Sequence, residues 1–349
     1  MATRGHRCIG GLMLLLIATV LPVAAEADSQ IYSLYDFQFE DGSVMPELRI
    51  AYDTQGTLSP AKDNAIVLLH ETFGDRHAFD TLIGPGKLFD TNHYFVITAD
   101  APGGGESSSP ADGAGQEFPR YTIRDLVAAE NALVTRGLGL STLRAVVGRS
   151  MGAFMGLEWA IQHPEMLRSL VLLEPNARSD ANYQLVIDLT IAAIAADPDW
   201  NGGRYERNPV EGLRHAGMSY YPWTVSGGYL DRISPTEVAH EWESTAKSFA
   251  AWDANSLVLR LAACRGHDVG APPVGDAVTA LAQVTAPVLL LPSASDRLVA
   301  SSGAQWLRTG LPHATYAEIP GDLGERAISA APGTPEDDFI EHAIRGFLK

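Results

Sequence analysis

Cysteine is nearly missing from this chain of 349 residues, which has two, Cys8 and Cys264. That argues against a fold stapled by disulfides and against a thiolate metal site. Basic side chains are also few, 25 Lys and Arg against 42 Asp and Glu, for a formal net charge of −17. Such a balance argues against a nucleic-acid partner and against charge-driven attachment to anionic lipid. Past the N-terminus no run is apolar enough to span a bilayer, so no stable membrane span is expected in the mature protein. H-E-x-x-H is absent, and Gly103-Gly104-Gly105 lacks the spacing and acidic partner of a dinucleotide loop. Neither a metal nor a cofactor is expected. What is present, 46% hydrophobic and 19% charged residues, is the composition of a folded globular protein.

The N-terminus stands apart. Arg4 and Arg7 precede an apolar stretch over 8–23, and Ala25-Glu26-Ala27 offers a small-x-small exit before Asp28. Together these predict a secretory signal peptide over 1–27, with an uncleaved anchor as the alternative. Cleavage leaves 349 − 27 = 322 residues, a net charge of 23 − 41 = −18 and Cys264 as the sole thiol. The expected protein is exported, periplasmic or secreted, and held by its core alone.

Short apolar, strand-forming runs recur at 65–70, 94–98, 144–148, 170–174, 288–292 and 315–319. Helical patterns lie between them, at 122–135 and at 151–163 before Pro164. This alternation predicts an α/β fold with a mostly parallel, doubly wound sheet. Two earlier runs, 31–40 and 48–54, could pair as an antiparallel edge. The rhythm breaks over 179–285, where helical patterns at 182–196 and 235–261 flank a Gly-, Pro- and Tyr-rich stretch around 201–229. The expected organisation is a first core part at 28–178, an inserted helical cap at 179–285 and a second core part at 286–349. An independent helical domain is the alternative for the middle segment.

One serine carries the chemistry. Gly148-Arg149-Ser150-Met151-Gly152 fits G-x-S-x-G, and it ends a strand pattern and opens a helix pattern. That placement is the nucleophile elbow, and it makes Ser150 the candidate nucleophile. The backbone N–H groups of Met151, at the helix start, and of Thr72, in the loop after the run at 65–70, are the candidate oxyanion hole. His70 is read as structural. Asp296 follows the apolar run at 288–292 and is the candidate triad acid. The histidine expected after the run at 315–319 is missing; the loop reads Pro320-Gly321-Asp322-Leu323-Gly324-Glu325-Arg326-Ala327.

Further motifs sharpen this picture. They are Leu82-Ile83-Gly84-Pro85-Gly86-Lys87, the stretch 90–97, Phe118-Pro119 with Thr122-Ile123-Arg124-Asp125, and Leu157-Glu158-Trp159-Ala160. In the cap, Asp199-Trp200-Asn201-Gly202-Gly203 and Asp253-Ala254-Asn255-Ser256 belong to the same set. With these the chain resembles the homoserine O-acetyltransferase family of α/β-hydrolases over nearly the whole mature sequence. The resemblance implies Ser150 as nucleophile, Asp296 as triad acid and a possible homodimer through the cap. Two departures stand out. The family's Gly-His-x-Ala reads Gly324-Glu325-Arg326-Ala327 here, so Glu325 occupies the triad His position. The Arg near the end of Gly212-Leu213-Arg214-His215-Ala216-Gly217 is replaced by Gly217, with Arg214 nearby.

A serine needs a base that takes its proton and returns it to the leaving group, best done near pKa 7. An unperturbed Glu lies near 4.3, and beside Asp296 the two like charges would raise one of the pair, leaving a raised Glu as a poor base. Arg326 beside it could hold it ionised. His267, His313 and His342 lie outside the expected loop. Tyr205, Tyr220, Tyr221, Trp223 and Tyr229 could line an acyl pocket or simply pack the cap. The reading expected from the sequence is an exported serine acyl hydrolase cleaving a small ester through a Ser150 acyl-enzyme. The alternatives are an O-acyltransferase and a catalytically degenerate binding protein. Acetyl-CoA, the donor the resemblance implies, is cytoplasmic, so export favours the hydrolase.

Overall fold

A computed structural model describes Met1 and residues 30–349. The expected signal peptide, Met1 apart, lies outside the described residues. The chain folds around one eight-stranded sheet of order β1-β2-β4-β3-β5-β6-β7-β8. Its strands are β1 (Gln30–Gln38), β2 (Val44–Gln55), β3 (Ala65–Leu69), β4 (Phe95–Ala99), β5 (Ala145–Arg149), β6 (Leu170–Leu173), β7 (Val288–Leu291) and β8 (Ala314–Tyr316). β1 and β2 form an antiparallel hairpin in which Leu34 faces Leu48, and β2 runs antiparallel to β4. From β4 to β8 every pairing is parallel.

The central strands are apolar because both faces are covered. Along β3, β5 and β6, alternate residues go to opposite faces. Leu69, Val146 and Leu172 enter one hydrophobic cluster with Ile123, Leu126 and Leu157. Those residues come from α1 (Ile123–Ala132) and α2 (Met151–Gln162). Leu68, Val147 and Val171 enter the other cluster with Ile340 and Ile344.

Six α-helices lie between β6 and β7, five of them before the last, short one. The five are α3 (Ala181–Ala195), α4 (Val210–Thr224), α5 (Gly227–Arg232), α6 (Pro235–Ala250) and α7 (Ala254–Arg265). The sixth is α8 (Ala277–Leu281), and after β7 come α9 (Ser301–Gly310) and α10 (Pro335–Phe347).

Two expectations for this middle segment need correction. The stretch 201–229 contains α4 and the start of α5, and Pro222 lies inside α4. Burial of Leu213, Ala216 and Tyr220 on one face outweighs the propensity cost that hid the helix. The pattern at 235–261 is two helices, because Asp253 accepts from the Ser256 N–H at 2.9 Å and starts α7 afresh. The last parallel strand is also shorter than the run at 315–319; Ile319 keeps only an isolated bridge to Ser293.

Candidate active site

The turn from β5 into α2 holds Ser150 at φ 50, ψ −114, a conformation that costs a residue with a side chain on the order of 1 kcal/mol or more. The surroundings impose it. Ser150 N–H donates to Leu173 O at 2.9 Å, and Ala153 and Phe154 N–H donate back to Ser150 O at 2.7 and 3.1 Å. The flanking glycines are needed for close approach rather than flexibility. A Cβ on Gly148 would sit 2.0 Å from Gly152 O, and one on Gly152 would sit 2.1 Å from Leu69 O. The elbow is pressed directly against the end of β3.

Met151 is fully buried at the first position of α2, where the amides have no acceptor within the helix. Thr72 lies in the loop after β3. Its carbonyl accepts from Arg260 Nη1 at 3.1 Å, as does that of Gly74, and its hydroxyl packs against Cys264 Sγ at 3.6 Å. His70 anchors the same loop: Nδ1 lies 2.7 Å from Glu71 O, and Nε2 accepts from Ala101 N–H at 3.1 Å. Burial, with the charge of Arg260, pushes its pKa down to about 3, so the ring is neutral.

Asp296 lies just beyond β7. Its Oδ1 accepts from Leu298 N–H at 2.7 Å, and the loop is tied to that of Glu325 by Gly324 N–H donating to Ser295 Oγ at 3.1 Å. Glu325 faces both Asp296 and Ser150. A third carboxylate, not anticipated from the sequence, completes the group. Glu174 is the residue immediately after β6, is 0% exposed and sits at φ 54. Its Oε1 accepts from Ser293 N–H at 2.8 Å, the loop that carries Asp296. One oxygen from each of Glu174, Asp296 and Glu325 lies within 4.8 Å of the other two. The available signal was an acid ending the otherwise apolar run at 170–174.

Among the described residues this is the one group of three or more His, Cys, Asp or Glu spaced to hold a metal ion, and its all-oxygen donor set would suit a hard cation. The electrostatics favour protons. Glu174 Oε2, Asp296 Oδ2 and Glu325 Oε2 are buried and have no hydrogen-bond partner. Burial, then the charge of Asp296, pushes both Glu174 and Glu325 well above the usual carboxylate range. Burial raises Asp296 as well.

No cation relieves this cluster from the expected side. Arg326 pairs with Glu241 at 2.6 Å and lies over the Tyr229 ring, and does not hold Glu325 ionised. Arg214 is likewise committed, donating to both oxygens of Glu243 at 2.9 and 2.8 Å. Gly217 serves packing, since a Cβ there would meet Thr245 O of α6 at 2.8 Å. The histidines do not approach the serine in its place. His267 stacks on Phe154 at 4.5 Å and bonds Asn176 O at 3.0 Å. His313 precedes β8, and His342 lies in α10.

Ser150 opens on a cavity of about 610 Å³, lined among others by Glu325, Glu71, Thr72, Phe73 and Tyr220. Of the aromatic set, only Tyr220 lines it. Tyr221 and Tyr229 donate to Glu241 at 2.9 and 2.6 Å, Tyr205 donates to Asp253, and Trp223 lies beneath Arg297. An elbow serine at the floor of a pocket, with acceptor groups beside it, can form and release a covalent ester.

A family model described as alpha/beta hydrolase fold matches residues 64–322. The homoserine O-acetyltransferase of Leifsonia xyli subsp. xyli is 34% identical, the match covering 88% of this chain and 86% of that one. An acetylester hydrolase from Corynebacterium glutamicum shares the fold, with a TM-score of 0.85 at 24% identity over 92% of this chain and 95% of that one. The homoserine O-acetyltransferase structure from Bacillus anthracis gives 0.82 at 26% identity, over 92% and 97% of the two chains. The chain is thus a member of the homoserine O-acetyltransferase family of α/β-hydrolases.

Proposed function

We propose that this protein is an exported serine acyl hydrolase that cleaves small esters through an acyl-enzyme on Ser150. The observation that carries the reading is Ser150 at a strained elbow, facing Glu325 and opening on a cavity of small-molecule size. In the first half-reaction Ser150 Oγ attacks the acyl carbonyl and its proton passes to Glu325. The ester C–O bond then breaks, and the leaving alkoxide takes that proton. Water repeats the sequence and frees the acid. The amides of Thr72 and Met151 are the donors for the oxyanion. Export rests on the basic and apolar N-terminal run and its small-residue exit.

The relatives' names favour a second reading, transfer of the acyl group to an alcohol. Gly217 and the engagement of Arg214 with Glu243 weigh against a carboxylate-bearing acceptor. Initial rates of p-nitrophenyl acetate hydrolysis, with Ser150→Ala as the blank, test the proposal. A rate above the blank is expected. Equality with the blank would overturn it in favour of a binding protein, and a rate that requires an added alcohol would favour transfer.

A further inference from the structure

Glu174 has no part in the chemistry described so far, yet it is the most deeply buried acid of the site. It is 0% exposed, its backbone is held at φ 54, and its N–H donates to Leu291 O at 3.1 Å. Its two oxygens are in different situations. Oε1 accepts from Ser293 N–H at 2.8 Å. Oε2 has no partner, and one oxygen of Glu174 lies within 4.8 Å of an oxygen of Asp296 and one of Glu325.

An ionised carboxylate offers only acceptors, so two carboxylates facing each other out of water repel unless a proton lies between them. The unfilled position on Asp296 is Oδ2, because Oδ1 already accepts from Leu298 N–H at 2.7 Å. A proton on Glu174 Oε2 satisfies both atoms at once. The charges that act on Glu174 are those of Asp296 and Glu325, both negative, and both favour that proton.

Resting on the serine-hydrolase reading above, we propose that Glu174 is a positioning residue that works un-ionised. It holds the Ser293–Asp296 loop through Oε1 and donates from Oε2 to Asp296, so that Asp296 stays ionised. When Glu325 takes the proton of Ser150, the carboxylic acid it becomes finds a carboxylate to donate to. Asp296 then does for Glu325 what a triad acid does for a histidine. Without the Glu174 proton, a proton settles on Asp296 and that acceptor is lost.

Glutamine reproduces the un-ionised form: its carbonyl accepts from Ser293 N–H and its amide donates to Asp296. Glu174→Gln should keep kcat for p-nitrophenyl acetate within about threefold of wild type, whereas Glu174→Leu should lose at least about tenfold in kcat with KM little changed. The wild-type rate should fall on the alkaline side as Glu174 loses its proton, and Glu174→Gln should not show that fall. A purely structural role would leave the two pH profiles alike. At neutral pH the infrared carbonyl stretch of un-ionised carboxyl groups should lose amplitude in Glu174→Gln. An unchanged band, a glutamine variant as slow as the leucine variant, or a rate abolished by a chelator and restored by calcium would overturn the proposal. Should wild type match the Ser150→Ala blank, the hydrolase reading fails by itself. The infrared band then still decides the state of Glu174, with no need for the leucine variant to fold.

Discussion

A carboxylate and an imidazole both accept a proton from serine, but only the imidazole becomes a cation that a neighbouring carboxylate stabilises. Glu325 becomes a neutral acid instead, so its drive to take the proton is weaker. Restoring the ring tests how much is forfeited. Glu325→His should raise kcat by at least about a hundredfold, since loss of a triad histidine elsewhere costs on the order of a million. Glu325→Gln, which cannot accept the proton, should fall to the Ser150→Ala blank. Initial rates of all three proteins on one ester decide both. At this scale the sequence marked Ser150 through its elbow and Asp296 through its place after a late strand, while Glu325 was marked by the resemblance alone. Glu174 was hidden because no motif marks it. Its importance comes from β6 lying beside β7, a neighbour more than a hundred residues away in sequence. Arg326 was legible as a charge but not in its choice of partner, which depends on where α6 sits.

Among the elements, the elbow is the least forgiving. The contact of Gly152 with Leu69 O is backbone against backbone, with no side chain to swing aside. Gly152→Ala should destabilise the protein by about 3 kcal/mol, near the upper end of overpacking costs, and abolish turnover; urea midpoints at constant slope would measure it. The parallel strands were legible because apolar runs of this length between helical patterns have few other uses. The cap was harder to read. Its helices bury their faces on one another, so α4 forms despite Gly217 and Pro222, and α6 and α7 separate at one capping aspartate. Local sequence carries the caps but not the packing that decides between one helix and two.

For the molecule as a whole, the store of buried acids sets the pH dependence of stability. Burial, with the charge of Asp100, raises Glu130 to about 8, and burial raises Glu158 to about 7. Glu174 lies well above its ordinary value. These groups keep a proton in the folded state that the unfolded chain has released, so they lower stability as pH rises past 4.5 towards their folded values. His70 and His267 act oppositely. Burial lowers them from 6.5 to about 3 and about 4, so their effect is confined below 6.5. Above that pH the acids act alone. The unfolding free energy should therefore fall between pH 7 and about 8 by up to about 1.4 kcal/mol per pH unit for each such acid, and Tm with it. Calorimetric scans across that window check this; Glu130→Gln should flatten the decline, and a rising Tm would contradict it.

Cys264 has a consequence of another kind. It is 0% exposed behind the Thr72 loop, and burial lifts its thiol to about 11. A thiol so placed stays protonated and out of reach of oxidants, disulfides and alkylating reagents while the protein is folded. The folded body from Gln30 onward therefore keeps the same covalent framework in reducing and oxidising surroundings. A protein with that property can be made in one redox environment and moved to another without refolding or protection of its sulfur.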